Sequence, residues 1–395
     1  MRNATPMPPR RVLIAHQSTI PHYRVRFYEL LEERRPPDWT FEVVYDTAEA
    51  DNPRIYLEPV DWRAFRFPIL DARTRILHVC GRRLLWQGFL GAARRCDLVV
   101  TDTHIVNLAY LAVGLLRPAG VRRAFWGHAG DRNEVAHPGA LKRLAEGFKR
   151  RLLARSDFFL AYTEQEAALL RGRGYPAGRI VVLNNTIDVR AERACREELL
   201  PRTAELRARL GVTDKKVLVF VGRLIGMKRL DFLLDAFACA HRADAALHLF
   251  VVGTGPDEHK VRALRDELGP GAVTLFGPLV KREEIGPVFA AGDVFTIPGG
   301  IGLAPIQAAC HDLPTIAFDV PGHGPEIDYL VPGNSDTLPG ATTAQEFGRL
   351  LPGLMDKWSD PARRDGIFPT VSHLTLESMA DRFIEGVNRA LGIGA

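Results

Sequence analysis

The sequence predicts an α/β protein made of two Rossmann-like, doubly wound parallel-sheet domains facing a cleft. Short apolar runs that read as strands alternate with helix-periodic segments along the whole chain, the pattern of a parallel sheet covered on both faces. The chain, at 395 residues, is too long for one ordinary core. A charged, helix-favouring stretch interrupted by Pro201 (AERACREELLPRTAELRARL, residues 191–210) then separates two halves that each begin the alternation afresh.

In the first half, Val12–His16 (VLIAH) reads as a strand and Tyr23–Leu31 as the helix after it. Further strands are expected at Phe41–Tyr45, Asp97–Thr101, Arg123–Gly127, Phe158–Tyr162 and Ile180–Leu183. Helical periodicity is expected at Leu84–Ala93, Leu108–Leu116 and Leu141–Ala154. The second half gives strands at Val217–Val221, His248–Val252, Val273–Phe276, Val294–Ile297 and Thr315–Ala317. Its helices are Arg229–Ala240, Asp257–Glu267, Glu283–Ala291 and Leu303–His311. Residues 1–190 and 191–372 form the two domains, and the amphipathic tail 373–395 packs back on the body. In open sheets of this kind ligands sit at the carboxyl ends of the strands, so the loops there are where function is sought.

With 46% hydrophobic and 25% charged residues the composition is that of a folded globular protein. No apolar run approaches the roughly 18 residues that would span a bilayer. MRNATPMPPRR leads into a strand without a signal-like apolar region, so a cytoplasmic protein is expected. The five cysteines, odd in number and widely spaced, match neither a zinc pattern nor a disulfide framework, and no metal is expected. Residues 1–195 carry 31 Lys and Arg against 21 Asp and Glu, whereas 196–395 carry 21 against 26. The opposite balances suggest different partners for the two halves. No nucleic-acid partner is expected, and the oligomeric state is not legible.

The richest stretch is VFTIPGGIGLAPIQAACHDLPTIAF, Val294–Phe318. An apolar strand runs into Gly299, Gly300 and Gly302, where backbone can approach a ligand closely, and a helix opens near Leu303 with free N–H groups. A tight strand-to-helix corner would use the same glycines. In GRLIGMKRLD, Arg223 and Lys228 straddle a glycine loop ahead of a helix, a pairing suited to a diphosphate; a solvated cationic loop is the alternative. VVGTGP (Val251–Pro256) and LFGPLVKREE (Leu275–Glu284) end two further strands on the same edge. Gly253 and Gly255 read as turn residues, and Gly277 as a place where a nucleobase can lie near backbone.

These motifs, in this order and spacing, resemble glycosyltransferase family 4, whose members have the GT-B fold and retain anomeric configuration. IPHYRVRFYELL, FWGH, YTEQEAALLRGRGY and VLNNTID add likeness to its bacterial branch, and the resemblance covers residues 11–390. It implies transfer of a sugar from a nucleotide-diphosphate donor, a GDP- or UDP-sugar, to a small-molecule, glycan or lipid-linked acceptor. It implies Arg223 and Lys228 on the donor diphosphate and His128 of FWGH beside the transferred sugar. Gly277, Gly299, Gly300, Ile301, Gly302, Leu303 and Gln307 would line the donor. His22, Tyr23, Arg24, Thr103, His104 and Glu326 would meet acceptor or donor, with Asp102 beside them, although the family's usual glycine-rich version of the first loop is missing. Glu326 equally suits a helix cap.

One departure stands out. The family's donor motif is a glutamate, seven residues, then a second glutamate, and here those positions are Gly299 and Gln307. Gln keeps an acceptor for a ribose hydroxyl without the charge, so Gln307→Glu is expected to bind nucleotide at least as well. The resemblance implies no enzyme nucleophile, only positioning and stabilisation of the departing diphosphate. A non-catalytic nucleotide-sugar binder or partner subunit is the competing reading, and a nucleotide-sugar epimerase a more distant one. Finally, Thr74–Arg95 and Lys142–Arg155 interleave basic and apolar residues. As basic amphipathic helices they would rest on anionic lipid; as ordinary helices they would show a solvated face.

Overall fold

A computed structural model of the chain describes residues 8–16, 20–50, 61–79, 82–103, 106–116, 120–128, 147–148 and 150–393. It divides into two compact units, Met1–Asn185 with Leu376–Ala395, and Thr186–Thr375.

The first unit holds a seven-stranded sheet of β1 (Arg10–Ala15), β2 (Trp39–Tyr45), β3 (Ile69–Asp71), β6 (Leu98–Thr101), β7 (Arg122–Gly127), β8 (Phe158–Ala161) and β9 (Ile180–Val182). Its order is β3-β2-β1-β6-β7-β8-β9, and every pairing is parallel. Strands covered on both faces have no solvent side, which is why β6 and β8 are apolar at nearly every position and wholly buried. The helix Leu376–Leu391 lays Leu376, Met379, Phe383 and Val387 into this unit's core, against Phe27, Trp126 and Leu160 among others.

Between β3 and β6 the chain departs from expectation. Leu84–Ala93 reads as helical by spacing, but Arg82–Gln87 is a strand, β5, paired antiparallel to β4 (Thr74–Val79), and only Leu90–Ala93 is helical. The run RRLLWQ is too short to separate the two periods. Pairing with β4 and a bridge from Leu85 to Asn107 decide for strand. The basic amphipathic helix expected over Thr74–Arg95 is therefore a hairpin. Of the helix expected at Leu141–Ala154, residues 141–146 and 149 lie outside the described residues, and 150–154 are helical.

The second unit holds six parallel strands in the order β12-β11-β10-β13-β14-β15. They are β10 (Lys216–Val221), β11 (Leu247–Val252), β12 (Val273–Gly277), β13 (Val294–Thr296), β14 (Thr315–Phe318) and β15 (Ser335–Leu338). Val217–Phe220 with Leu247, Leu249, Phe250 and Val251 form the centre of its core, fully buried. In both sheets the chain first builds outward on one side and then returns to the other. The switch falls between β1 and β6 in the first unit and between β10 and β13 in the second. At such a point adjacent loops part and leave a crevice at the carboxyl ends of the strands.

Candidate functional site

In the second unit the loops after β10, β11 and β12 are tied into one shelf. Gly222 N donates to Val252 O at 3.0 Å, Leu224 N to Thr254 O at 3.0 Å and Gly253 N to Gly277 O at 2.8 Å. Gly253 has φ of 137°, and a Cβ there would run into the Gly222 carbonyl oxygen, so VVGTGP carries glycine for the packing of its own loops. Arg223 is exposed on this shelf.

Across the switch point, the loop after β13 packs against the turn Gly226–Lys228. Lys228 Nζ donates to the Gly300 carbonyl, and Arg229 Nη1 reaches Pro298 O at 3.5 Å. Arg229 holds a left-handed φ of 52°, with its guanidinium 4.2 Å above the Phe232 ring. His323 locks the glycine loop from behind: its Nδ1 accepts from Ile301 N at 3.1 Å and its Nε2 donates to Phe318 O at 2.8 Å. Gly324 N adds a bond to Ile301 O at 2.7 Å. Gly299–Leu303 is thus a braced loop. Burial pushes the Lys228 ammonium down to about 8, with Arg223 adding to the fall and Glu326 opposing it. Among the described residues neither Arg223 nor Lys228 forms an ion pair, so the two cations can take a further negative charge beside Glu326.

Gln307 lies in the helix Ala304–Cys310 and turns toward the helix Val189–Leu199. Its Nε2 donates to Glu192 Oε2 at 3.2 Å. Glu192, only 6% exposed, also takes Arg282 Nε at 3.1 Å and His311 Nε2 at 3.4 Å. Burial alone would raise the Glu192 carboxyl, but the His311 bond, the Arg282 charge and the Gln307 bond outweigh it and hold the group below its usual range.

The first unit gathers a second polar group at the ends of its strands. His128 follows β7, with Nδ1 3.4 Å from Glu166 Oε1 and its ring edge-on to Tyr162 at 5.1 Å. Thr103 Oγ1 donates to the His128 carbonyl at 3.0 Å. His16, at the end of β1, stacks on Trp126 at 3.9 Å and bonds the Tyr162 hydroxyl at 2.9 Å.

The fold brings Arg223, Lys228, Glu326 and the Gly299–Leu303 loop to one edge, with Gly277 on the shelf beside them. Thr103, with Asp102 preceding it, meets His128 at the other. His22 opens the helix His22–Arg34 and is exposed, and Tyr23 is half-buried. Arg24 differs from expectation: it is 2% exposed, donates to Asn185 Oδ1 and Met379 Sδ, and lies near the rings of Tyr23 and Trp126. Its charge is used inside the unit. His104 lies outside the described residues. Sequence reasoning missed Glu166, Glu192 and His323. Only Glu166 left a local signal, as the acidic residue three after the cap Thr163.

Two parallel α/β sheets, each with a polar edge at its switch point, define the class as GT-B. The family models agree with this. Residues 23–186 match a glycosyl transferase 4-like domain and residues 215–345 match glycosyl transferases group 1. The chain belongs to the glycosyltransferase family 4 type. It is 28% identical over 255 residues to a D-inositol 3-phosphate glycosyltransferase of Thermomonospora curvata, covering 60% of this chain and 58% of that one. It is 25% identical over 185 residues to a GDP-mannose-dependent α-(1-6)-phosphatidylinositol monomannoside mannosyltransferase of Mycolicibacterium smegmatis, covering 44% and 47%. The chain thus spans about half the length of the curated relatives it matches. Among solved structures, Anabaena HepE in complex with UDP superposes with a TM-score of 0.68 at 15% identity, over 96% of this chain and 99% of that one.

Proposed function

We propose that the protein is a retaining glycosyltransferase that moves a sugar from a nucleoside diphosphate sugar to a small-molecule, glycan or lipid-linked acceptor. The carrying observation is the second unit's edge, where Arg223 is exposed and Lys228 is desolvated on a loop bonded to Gly300. A diphosphate would supply that further negative charge. We assign Arg223 and Lys228 to the leaving diphosphate, Gly277 to the base, Gly299–Leu303 to the sugar and phosphates, Gln307 to the ribose and Glu326 to the same edge. In the first unit we assign His128 to the sugar, and His22, Tyr23, Thr103 and His104 to the acceptor side.

The acceptor's nucleophilic atom (O, N or S) attacks the anomeric carbon on the face the diphosphate leaves. The carbon–oxygen bond to the diphosphate breaks with its electron pair on the phosphate oxygen, which takes the acceptor's proton. Nothing in this scheme needs a side-chain nucleophile. Arg223 and Lys228 act by holding charge where it develops.

Incubation with UDP-glucose and GDP-mannose, separately and with an acceptor panel, tests the reading. Nucleoside diphosphate release that depends on acceptor, with retained configuration in the product, is the expected result. Tight nucleotide binding without turnover on any acceptor would favour the non-catalytic binder instead.

A peripheral membrane contact belongs to the same proposal. On β4, Ile76, Leu77 and Val79 are 44%, 39% and 50% exposed, and Arg75 lies on the same face as Leu77 and Val79. Such a strand suits the surface of an anionic bilayer. Co-sedimentation with phosphatidylglycerol vesicles at low salt should be lost in Ile76→Ser/Leu77→Ser/Val79→Ser; wild-type protein that stays in the supernatant ends this part.

A further inference from the structure

We infer that Glu192 is a positioning residue for the nucleotide: it fixes the amide of Gln307 so that Oε1 is the acceptor offered to the ribose, and it is why this chain carries Gln rather than Glu at that position. The inference rests on reading the second unit's edge as a nucleotide site.

An ionised carboxylate only accepts, so each group on Glu192 must donate. Arg282 and His311 do so, and the amide side of Gln307 has to be the one that faces Glu192. The two ends of an amide are otherwise interchangeable, and this contact removes the choice. Among the described residues Oε1 accepts no bond, and Gln307 is half-buried, so its carbonyl oxygen is the end left for a ligand.

The support is rigid. Asp188 caps the helix that carries Glu192, accepting from Ala191 N at 3.1 Å. Next to Glu192 and one turn along, Arg193 Nη1 and Arg196 Nε bind Asp312 at 2.6 and 3.3 Å, just past the helix that carries Gln307. The separation of the two side chains is therefore not free to relax. A glutamate at 307 would set two carboxylates about 3.2 Å apart at a site where Glu192 is nearly excluded from water. Glu192 is held ionised by His311 and Arg282, so a second carboxylate at that range is repelled and swings away from the ribose position. This reverses the expectation from the motif alone, that restoring glutamate helps.

Calorimetric titration with UDP and with GDP of wild type, Gln307→Glu, Glu192→Gln and the exchanged pair Glu192→Gln/Gln307→Glu tests the inference, with thermal midpoints measured alongside. Gln307→Glu should lose about five- to tenfold in affinity for the preferred nucleotide, the loss of one hydrogen bond. The exchanged pair should recover most of it, because one amide again faces one carboxylate. Recovery of affinity in the pair is a readout that a purely structural role for Glu192 would not move. Wild-type affinity in Gln307→Glu, or a pair no better than that single variant, overturns the coupling while leaving the donor site standing. A wild-type protein that binds neither nucleotide overturns both.

Discussion

A Cβ on Gly299 would stand 2.6 Å from the carbonyl oxygen of Met227 and 2.9 Å from Arg229 Cγ. The loop after β13 lies directly on the turn that carries Lys228, and no side chain fits between them. Gly299, which by resemblance falls where the family's donor motif has its first glutamate, is hemmed in where two stretches about 70 residues apart touch.

Gly299→Glu is accordingly expected to harm rather than restore. Pushing the loops apart should cost about 1–3 kcal/mol, as overpacking does, and weaken nucleotide binding by moving Lys228. Urea denaturation with parallel UDP and GDP titration checks this. A variant as stable as wild type with improved affinity would show that the loops yield easily.

Arg223→Ala and Lys228→Ala should each lower turnover by about 10²–10³, the usual effect of removing one group that stabilises developing charge. Their stabilities should differ. Arg223 is exposed and its loss should leave the thermal midpoint almost unchanged, whereas Lys228 is half-buried on Gly300 and its loss should lower it. Near-wild-type turnover in both variants removes the leaving-group assignment.

Lys228 also sets a pH dependence. With its ammonium near 8 rather than 10.5, the free site is increasingly neutral above about pH 8. A bound diphosphate favours the charged form and raises that value again, so binding takes up a proton between the two values. Affinity for UDP or GDP should fall as pH rises through this window. Calorimetry in buffers of different ionisation enthalpy detects the uptake, and Lys228→Arg should abolish it. Equal proton uptake in Lys228→Arg would assign the titration elsewhere.

Glu192 predicts an acid limb. Its carboxyl is held below the ordinary 4.5 in the folded chain, so it stabilises the fold above that value, and the contribution is lost as pH falls through the folded value. Thermal midpoints measured from neutral into acid should fall less steeply in Glu192→Gln than in wild type. Superimposable slopes would mean that Glu192 is not the group titrating.

The expected strands of the larger sheets were legible because a strand buried on both faces announces itself as an apolar run, and the turns around Arg223 and Gly299 because glycine punctuates them. Four strands were not: β3 and β15 are short and mixed in polarity, and β4 and β5 read equally as helix until the two lie side by side. The site divides in the same way. Arg223 and Lys228 sit five residues apart on one loop, so spacing alone paired them.

By itself the sequence determined the class of fold, the succession of strands and helices, and which loops carry cations and glycines. These depend on neighbours along the chain. The tertiary structure decided what each side chain spends its bonds on. Arg24 is taken up by Asn185 and Met379, the latter 355 residues away. Gln307 faces Glu192 across 115 residues, and Gly299 is hemmed in by Met227. Such contacts depend on which surfaces the folded chain brings together, and no local pattern of residues records them.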